Sequence, residues 1–297
     1  VQRIVTAGSC FAQHIGRELR RTGFNVVDAE PLSSVIPDRL ANDYGYRLYS
    51  ARYGNIYTPA QLAQLYNEAS GRFTPAEPVW EKDGRFYDAQ RPGLDPGGLP
   101  SVDEVLHHRA HHLKQVKSAF DSADLFVFTF GLTEAWVHKA TGTVYPTCPG
   151  TIAGQFDADT YAFKNYDVVE VLAAFTGFMK QMRAVNKRMR FLVTVSPVPL
   201  TATASGQHVE VATVYSKSVL RAVCGKLVQD YDYVDYFPSY ELITSLNNRG
   251  IYYEANKRSV SSEGVDQAMK LFFDAQQISS ATHASQLETA EEDPELR

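Results

Sequence analysis

The sequence predicts an α/β protein, a three-layer, doubly wound sandwich around a mostly parallel central sheet. Three observations predict it. Short apolar runs alternate with longer helical patterns along most of the chain. The strongest run, Leu125-Phe126-Val127-Phe128-Thr129-Phe130, is apolar at nearly every position, as a strand covered on both faces should be. Two helical patterns open on capping boxes, which fix where they start. The 297 residues are enough to bury a sizeable core, and no internal repeat points to a solenoid or propeller.

Taken in order, residues 3–6 read as a first strand, followed by Gly8 and an amphipathic helix over residues 12–21. Residues 25–28 read as a second strand. Thr58-Pro59-Ala60-Gln61 is a capping box with Pro at the first helical position, so a helix begins there. Residues 74–100 contain Pro75, Pro78, Pro92, Pro96 and Pro100 with several glycines, and read as a long insertion or lid without regular structure. Ser101-Val102-Asp103-Glu104 is the second capping box and opens a helix to about residue 120. After the strand at 125–130, residues 139–157 are rich in Thr, Pro and Gly and read as a loop. A helix is expected over 167–185, a buried strand over 191–195, a helix over 209–228, a last strand near 233–236 and a final helix over 263–273. Residues 1–278 form the expected domain, and 279–297 a disordered acidic tail. In a doubly wound sheet the ligand site lies at the carboxyl ends of the strands.

Composition narrows the function. With 29 Lys+Arg against 34 Asp+Glu the net charge is -5, which argues against a dedicated nucleic-acid binder. No apolar run approaches the roughly 20 residues that span a bilayer. Cys10, Cys148 and Cys224 cannot build a disulfide framework, so a reducing compartment is the default. No secretory signal pattern opens the sequence, which starts at Val1 rather than Met, and a cytoplasmic protein is expected. Neither a P-loop nor a Gly-x-Gly-x-x-Gly following a strand is present, so nucleotide cofactors held in those ways are not expected.

The chemistry points to the end of the first strand. Thr6-Ala7-Gly8-Ser9-Cys10-Phe11-Ala12 runs straight from strand into helix. A nucleophile there sits where backbone N–H groups and the helix dipole stabilise an anion. That setting favours a Cys10 thiolate, whereas Ser9 would need an added base. The same residues also fit a packed turn with a buried cysteine. His107, His108, His111 and His112 form two i,i+4 pairs, but no third ligand accompanies them, so a helix face is expected and no metal site. Glu134 and Trp136 follow the strongest strand. Glu134 could orient a base or bind a sugar hydroxyl, Trp136 could stack on a sugar ring, and both also fit as pocket wall.

Gly8-Ser9-Cys10-Phe11-Ala12 matches the name-giving motif of the GSCFA domain family, grouped with the SGNH (GDSL-like) hydrolases, and the sequence resembles that family well beyond it. The resemblance continues through Tyr53-Gly54-Asn55-Ile56-Tyr57-Thr58, Phe130-Gly131-Leu132-Thr133-Glu134-Ala135-Trp136, Tyr145-Pro146-Thr147-Cys148-Pro149-Gly150, Thr194-Val195-Ser196-Pro197-Val198-Pro199-Leu200 and Tyr236-Phe237-Pro238-Ser239-Tyr240-Glu241, covering roughly residues 3–273. Laid without gaps on the SGNH Gly-Asp-Ser block, it implies Cys10 as nucleophile; a one-residue shift implies Ser9. Gly54 matches the oxyanion-hole glycine. In the Gly-x-Asn-Asp block the Asn donor is replaced by Thr133, a shorter donor, and Asn55 is the alternative. The Asp-x-x-His block is replaced by Asn256-Lys257-Arg258-Ser259, so both orienting acid and base are missing. His208, at the start of a helix on the site edge of the sheet, is the expected base, with Glu134 or Glu241 orienting it. Trp136, Arg258 and Glu241 are the expected substrate contacts.

The resemblance implies an esterase or O-acyltransferase acting on acylated carbohydrate, in surface polysaccharide synthesis. Its partners would be a small acyl donor and a carbohydrate acceptor. No cofactor is required, and a coenzyme A thioester is one donor that a thiolate would accept. The alternative, motivated by the absent Asp-x-x-His, is a non-catalytic module that binds a glycan or a partner in the same cleft.

Overall fold

The computed structural model describes residues 2–281, and the chain divides after Tyr240 into two compact units. In chain order the elements are β1 (Ile4–Gly8), α1 (Phe11–Arg21), α2 (Asp38–Asp43), α3 (Pro59–Ala69), β2 (Val79–Lys82), β3 (Arg85–Asp88), α4 (Val102–Asp121), β4 (Leu125–Phe130), β5 (Glu134–His138), β6 (Val144–Tyr145), β7 (Tyr161–Asn165), α5 (Val168–Val185), β8 (Arg190–Val195), α6 (Val209–Asp230), β9 (Val234–Tyr236), α7 (Ser239–Thr244) and α8 (Ser262–Ala281).

The central sheet is all parallel, in the order β1-β4-β8-β9. Phe126, Phe128 and Phe130, two residues apart, leave one face of β4 and meet Phe175 and Phe178 of α5 with ring centroids 4.8–5.5 Å apart. Val5 and Ala7 of β1 join this cluster. Thr6, between them, points the other way, to α1, where a Cβ on Gly16 would lie 3.1 Å from Thr6 Oγ1. Helices therefore cover both faces, and the expected doubly wound α/β sandwich is the fold.

The helix starts follow their caps. Thr58 Oγ1 accepts the Gln61 N–H at 3.2 Å, and Ser101 Oγ accepts the Glu104 N–H at 3.2 Å. The return arm of the first box goes one residue further out than expected: Gln61 Oε1 accepts the N–H of Tyr57 at 2.9 Å. Asp167 and Glu170 complete a reciprocal box at α5.

Three expectations from the sequence change. Residues 25–28 form no strand; Val26 makes a single parallel bridge to Ile4, after which the chain leaves the sheet. Residues 74–100 are not irregular throughout, because β2 and β3 form a hairpin there. Its turn is Asp83-Gly84, both at positive φ (+52° and +72°), the conformation a two-residue hairpin needs. The expected loop at 139–157 contains β6, which pairs with β5 in a second, antiparallel sheet of order β6-β5-β7. Trp80 of the hairpin packs on Tyr145 of this sheet at 5.2 Å, so the insertion is anchored by an aromatic core of its own with Tyr87 and Tyr161.

A parallel sheet must satisfy its outer strand, and β1 does so with irregular chain. Ile4 exchanges backbone bonds with Asn25 and Val27 at 2.9 and 2.8 Å. Beyond that point residues 44–58 take over as a strap. Ser50 Oγ accepts the Thr6 N–H at 2.9 Å, the Tyr53 hydroxyl donates to the Thr6 carbonyl, and the Ile56 N–H donates to the Gly8 carbonyl at 2.9 Å.

In the second unit, α8 runs through residue 281, and residues 282–297 of the expected tail lie outside the described residues. Ahead of α8, Asn256 Oδ1 accepts the N–H groups of Arg258 and Ser259, both at 2.9 Å. No helix among the described residues is long and apolar enough to cross a membrane.

Gly8 sits at φ +137° with its Cα hard against β4, where a Cβ would lie 2.4 Å from the Thr129 carbonyl oxygen. Because the obstacle is sheet backbone, it cannot give way. Gly8→Ala should lower the unfolding free energy by roughly 3 kcal/mol or more, read from urea denaturation. Gly23→Ala, at φ +85° with nothing within 4 Å, should cost about 1 kcal/mol.

Candidate active site at the ends of β1 and β4

The bridge to Val26 on one side of β1 and the pairing with β4 on the other make the β1/β4 junction the point where strand order reverses, which is where open α/β sheets bind ligands. Ser9 and Cys10 follow β1, Gly131 and Thr133 follow β4, and the strap brings Gly54 and Asn55.

Ser9 is 3% exposed and its Oγ has no hydrogen-bond partner among the described residues. It lies against Gly131, where a Cβ would come within 2.7 Å of Ser9 Cβ and 3.2 Å of the Tyr57 carbonyl. Gly131 and Leu132 donate their N–H groups to that carbonyl at 3.1 and 3.0 Å, which ties the β4 turn to the strap. Cys10 is half-buried and lies at the amino end of α1, its carbonyl accepting the Gln13 N–H at 3.2 Å. Of the two expected nucleophiles, Ser9 is sealed behind glycine and Cys10 reaches the surface.

Gly54 and Asn55 are half-buried, Gly54 at φ +66°. Asn55 Oδ1 accepts from the Tyr49 hydroxyl, and Asn55 Nδ2 donates to the Tyr57 hydroxyl at 3.1 Å. Thr133, the other expected oxyanion donor, is engaged elsewhere. Its hydroxyl donates to Asn165 Oδ1 at 2.7 Å and its N–H to Ser216 Oγ at 3.0 Å. Its role is to join β4, β7 and α6. Lys217, 1% exposed, donates to the Gly131 carbonyl at 2.8 Å and braces the same turn from α6.

His208 is exposed and caps α6, its Nδ1 accepting the Glu210 N–H at 3.3 Å. Glu134 is half-buried, its carboxyl pKa raised by burial, and accepts from Thr203 Oγ1 at 2.6 Å. Trp136 is half-buried against Phe163 and Phe156, the latter 43% exposed. Glu241 and Arg258 belong to the second unit, Arg258 exposed on the turn that Asn256 builds. Among the described residues no three His, Cys, Asp or Glu side chains gather as a metal site, and His107, His108 and His111 are exposed.

A histidine that the sequence reading passed over lies on α1. His14 is four residues after Cys10, hence on the same helix face one turn along. Burial, reinforced by Arg17, lowers its pKa, and Nδ1 accepts from Arg17 at 3.1 Å. The Cys-x-x-x-His spacing at a helix start was the available signal.

The strap is held from behind by buried charge. Glu30 Oε2 accepts the Arg52 N–H at 2.6 Å and bonds His112 Nδ1 at 2.8 Å. Arg91 donates to the Arg52 carbonyl at 2.8 Å and to Asp88 at 2.7 Å, and Arg109 joins Asp88 to Glu68. Thus one of the four clustered histidines is structural: His112 is 0% exposed.

The GSCFA family model matches residues 3–272. The chain belongs to the GSCFA family. The match takes in the β1–α1 turn that carries the family's five-letter motif and the strap that closes over it. No curated protein matches the chain.

Burial is the largest influence on His112 and, with Arg91 nearby, lowers its pKa to about 4 against the pull of Glu30. Burial alone would raise Glu30, but the bond and charge of His112 and the Arg52 N–H bring it down to about 2. Both groups therefore bind protons more weakly when folded, and the stability they confer is complete above the unfolded histidine value near 6.5. It is lost as pH falls, first from about 6.5 toward 4 through His112 and then from about 4.5 toward 2 through Glu30. Urea midpoints should decline over that first interval, and His112→Asn should flatten the decline there. A wild-type midpoint independent of pH between 6.5 and 4 would contradict this.

Proposed function

We propose that this GSCFA-family chain is an SGNH-like acyl-transfer enzyme that works through a thioester on Cys10, taking acyl groups from or to carbohydrate hydroxyls. One observation carries the reading. At the switch point of the sheet the Ser9 hydroxyl is buried against Gly131, while Cys10 is only half-buried at the amino end of an eleven-residue helix. A helix start stabilises a thiolate, which is the reactive form of cysteine.

In the reaction the Cys10 sulfur attacks the acyl carbonyl, forming an S–C bond while the carbonyl oxygen takes the negative charge. The Asn55 amide and the N–H groups at the Gly54 turn are its donors, in place of Thr133. The carbon–oxygen bond to the leaving group then breaks, and the departing oxygen takes up a proton. A second hydroxyl, from water or from the acceptor sugar, attacks the thioester and returns the sulfur. We assign the proton transfers to His14, one helical turn from Cys10 on α1, rather than to the exposed His208 at the start of α6. A thiol nucleophile favours transfer over hydrolysis, because exchange with a carrier thioester such as that of coenzyme A is then nearly balanced. Trp136 and the exposed Phe156 offer aromatic faces of the kind sugars stack on, and the carbohydrate class rests on them together with the family resemblance.

The test combines an acyl donor with a thiol reagent. With p-nitrophenyl acetate, wild type should release nitrophenolate and acquire an acetyl group that digestion maps to Cys10. Cys10→Ala should fall to background, a loss of roughly 10³-fold or more, while Ser9→Ala keeps most of the rate. Prior alkylation with iodoacetamide should abolish turnover in step with modification of Cys10. Full activity in Cys10→Ala, or a Cys10 inert to both reagents, would end the acyl-enzyme reading and favour a binding module.

A further inference from the structure

We propose that Tyr49 is a positioning residue for the oxyanion site, its hydroxyl locking the Asn55 side-chain amide so that an Nδ2 proton, not Oδ1, faces the carbonyl attacked by Cys10. The proposal rests on the acyl-transfer reading and deepens it.

Donor and acceptor identities give the direction. Gln13 Nε2 can only donate, and it donates to the Tyr49 hydroxyl at 3.0 Å. That hydroxyl has one proton, which it gives to Asn55 Oδ1. Asn55 Nδ2 passes one of its two protons to the Tyr57 hydroxyl at 3.1 Å. The second Nδ2 proton has no acceptor among the described residues. The bonds therefore run one way, Gln13 to Tyr49 to Asn55 to Tyr57, and a flipped amide would set Nδ2 against the Tyr49 donor.

The surroundings keep the relay beside the nucleophile. Gln13 is three residues after Cys10 on α1 and donates its own N–H to the Cys10 carbonyl at 3.2 Å. Asn55 precedes Ile56, whose N–H is on the Gly8 carbonyl at 2.9 Å, two residues before Cys10. Tyr49 is 1% exposed, so its ring is fixed, and Arg20 Nη2 holds its carbonyl at 2.9 Å. Burial raises the Tyr49 pKa well above the usual phenol value, with the nearby Cys10 charge adding to the rise, so the hydroxyl keeps its proton throughout. The carbonyl of Asn55 is tied in turn to Gln61 Nε2 at 3.0 Å, so the residue's backbone is held as well as its amide.

The experiment compares wild type, Tyr49→Phe, Asn55→Ala and the double variant in full-length protein. Each is assayed with p-nitrophenyl acetate for kcat and KM, and with iodoacetamide for the alkylation rate of Cys10. Alkylation displaces iodide at a saturated carbon and develops no oxyanion, so it reports the thiol alone. Tyr49→Phe should lower kcat about 10- to 100-fold with KM little changed. Its alkylation rate and pH profile should stay within about twofold of wild type. Asn55→Ala should lose a similar factor, and adding Tyr49→Phe to it should cost nothing further.

Equal loss of acylation and alkylation in Tyr49→Phe would overturn the proposal, since Tyr49 would then act on the thiol or the fold. Additive losses in the double variant would also overturn it. Wild-type turnover with both single variants unaffected would refute the Tyr49 role while leaving acyl transfer standing. No wild-type acylation, with Cys10 still alkylated, would remove the acyl-transfer reading itself and this proposal with it. Should Tyr49→Phe fail to fold, Asn55→Ala and Asn55→Asp decide alone. The carboxylate would repel the oxyanion and should lose at least as much kcat as the alanine.

Discussion

A strand at the rim of a parallel sheet carries a row of N–H and C=O groups that must find partners once covered. In this protein β1 is that strand, and regular pairing on its outer side lasts for one bridge only. The rest of its edge is closed by the Ser50 hydroxyl, the Tyr53 hydroxyl and the Ile56 N–H, all from a segment with no secondary structure of its own. Closing the edge this way lays residues 54 and 55 across the carboxyl end of β1, beside the turn that holds Cys10. The need to satisfy one strand's backbone is thus what assembles the site.

An irregular strap can hold such a post only if it is itself rigid, and buried charge supplies the rigidity. Glu30, Arg52, Arg91, Asp88, Arg109, Glu68 and His112 form a continuous set of bonds behind it. Taking these groups out of water is costly, and their mutual attraction offsets the cost only when each has its partners. Replacing the set with apolar side chains would not do the same work, because the strap's backbone groups at Arg52 would lose their donor and acceptor. The other wall is made by glycine. Gly8 and Gly131 let backbones and the Ser9 side chain approach within distances that no Cβ permits, and Lys217 holds the second turn from α6.

These two constraints set how the Ser9-Cys10 pair is presented at the end of β1. The tight Ser9–Gly131 contact buries the hydroxyl and leaves the next residue, a thiol, at the helix start. A cysteine so placed depends less on a neighbouring base than a serine does, because the helix end already favours the thiolate. The Thr133 hydroxyl is engaged by Asn165, where it joins the two sheets.

The parallel sheet, the helix starts at Thr58 and Ser101 and the turn at Gly8-Ser9-Cys10 were legible in the sequence, because each is encoded by neighbours within one or two turns of chain. The hairpin at Asp83-Gly84 and the Cys10–His14 spacing are equally local patterns, the first masked by the proline content around it. What no local pattern could show is which of Ser9 and Cys10 is exposed, since that depends on Gly131, more than a hundred residues away. The same holds for Thr133, whose partner Asn165 lies on another sheet, and for His112, whose exposed-looking helix position is covered by Glu30 and the strap. The sequence by itself determined the layers and the motif at their edge. Only the tertiary structure decided which side chains at that motif are buried and which polar groups around it are already engaged, because burial and hydrogen-bond partnership arise from contacts between segments that the chain order keeps apart.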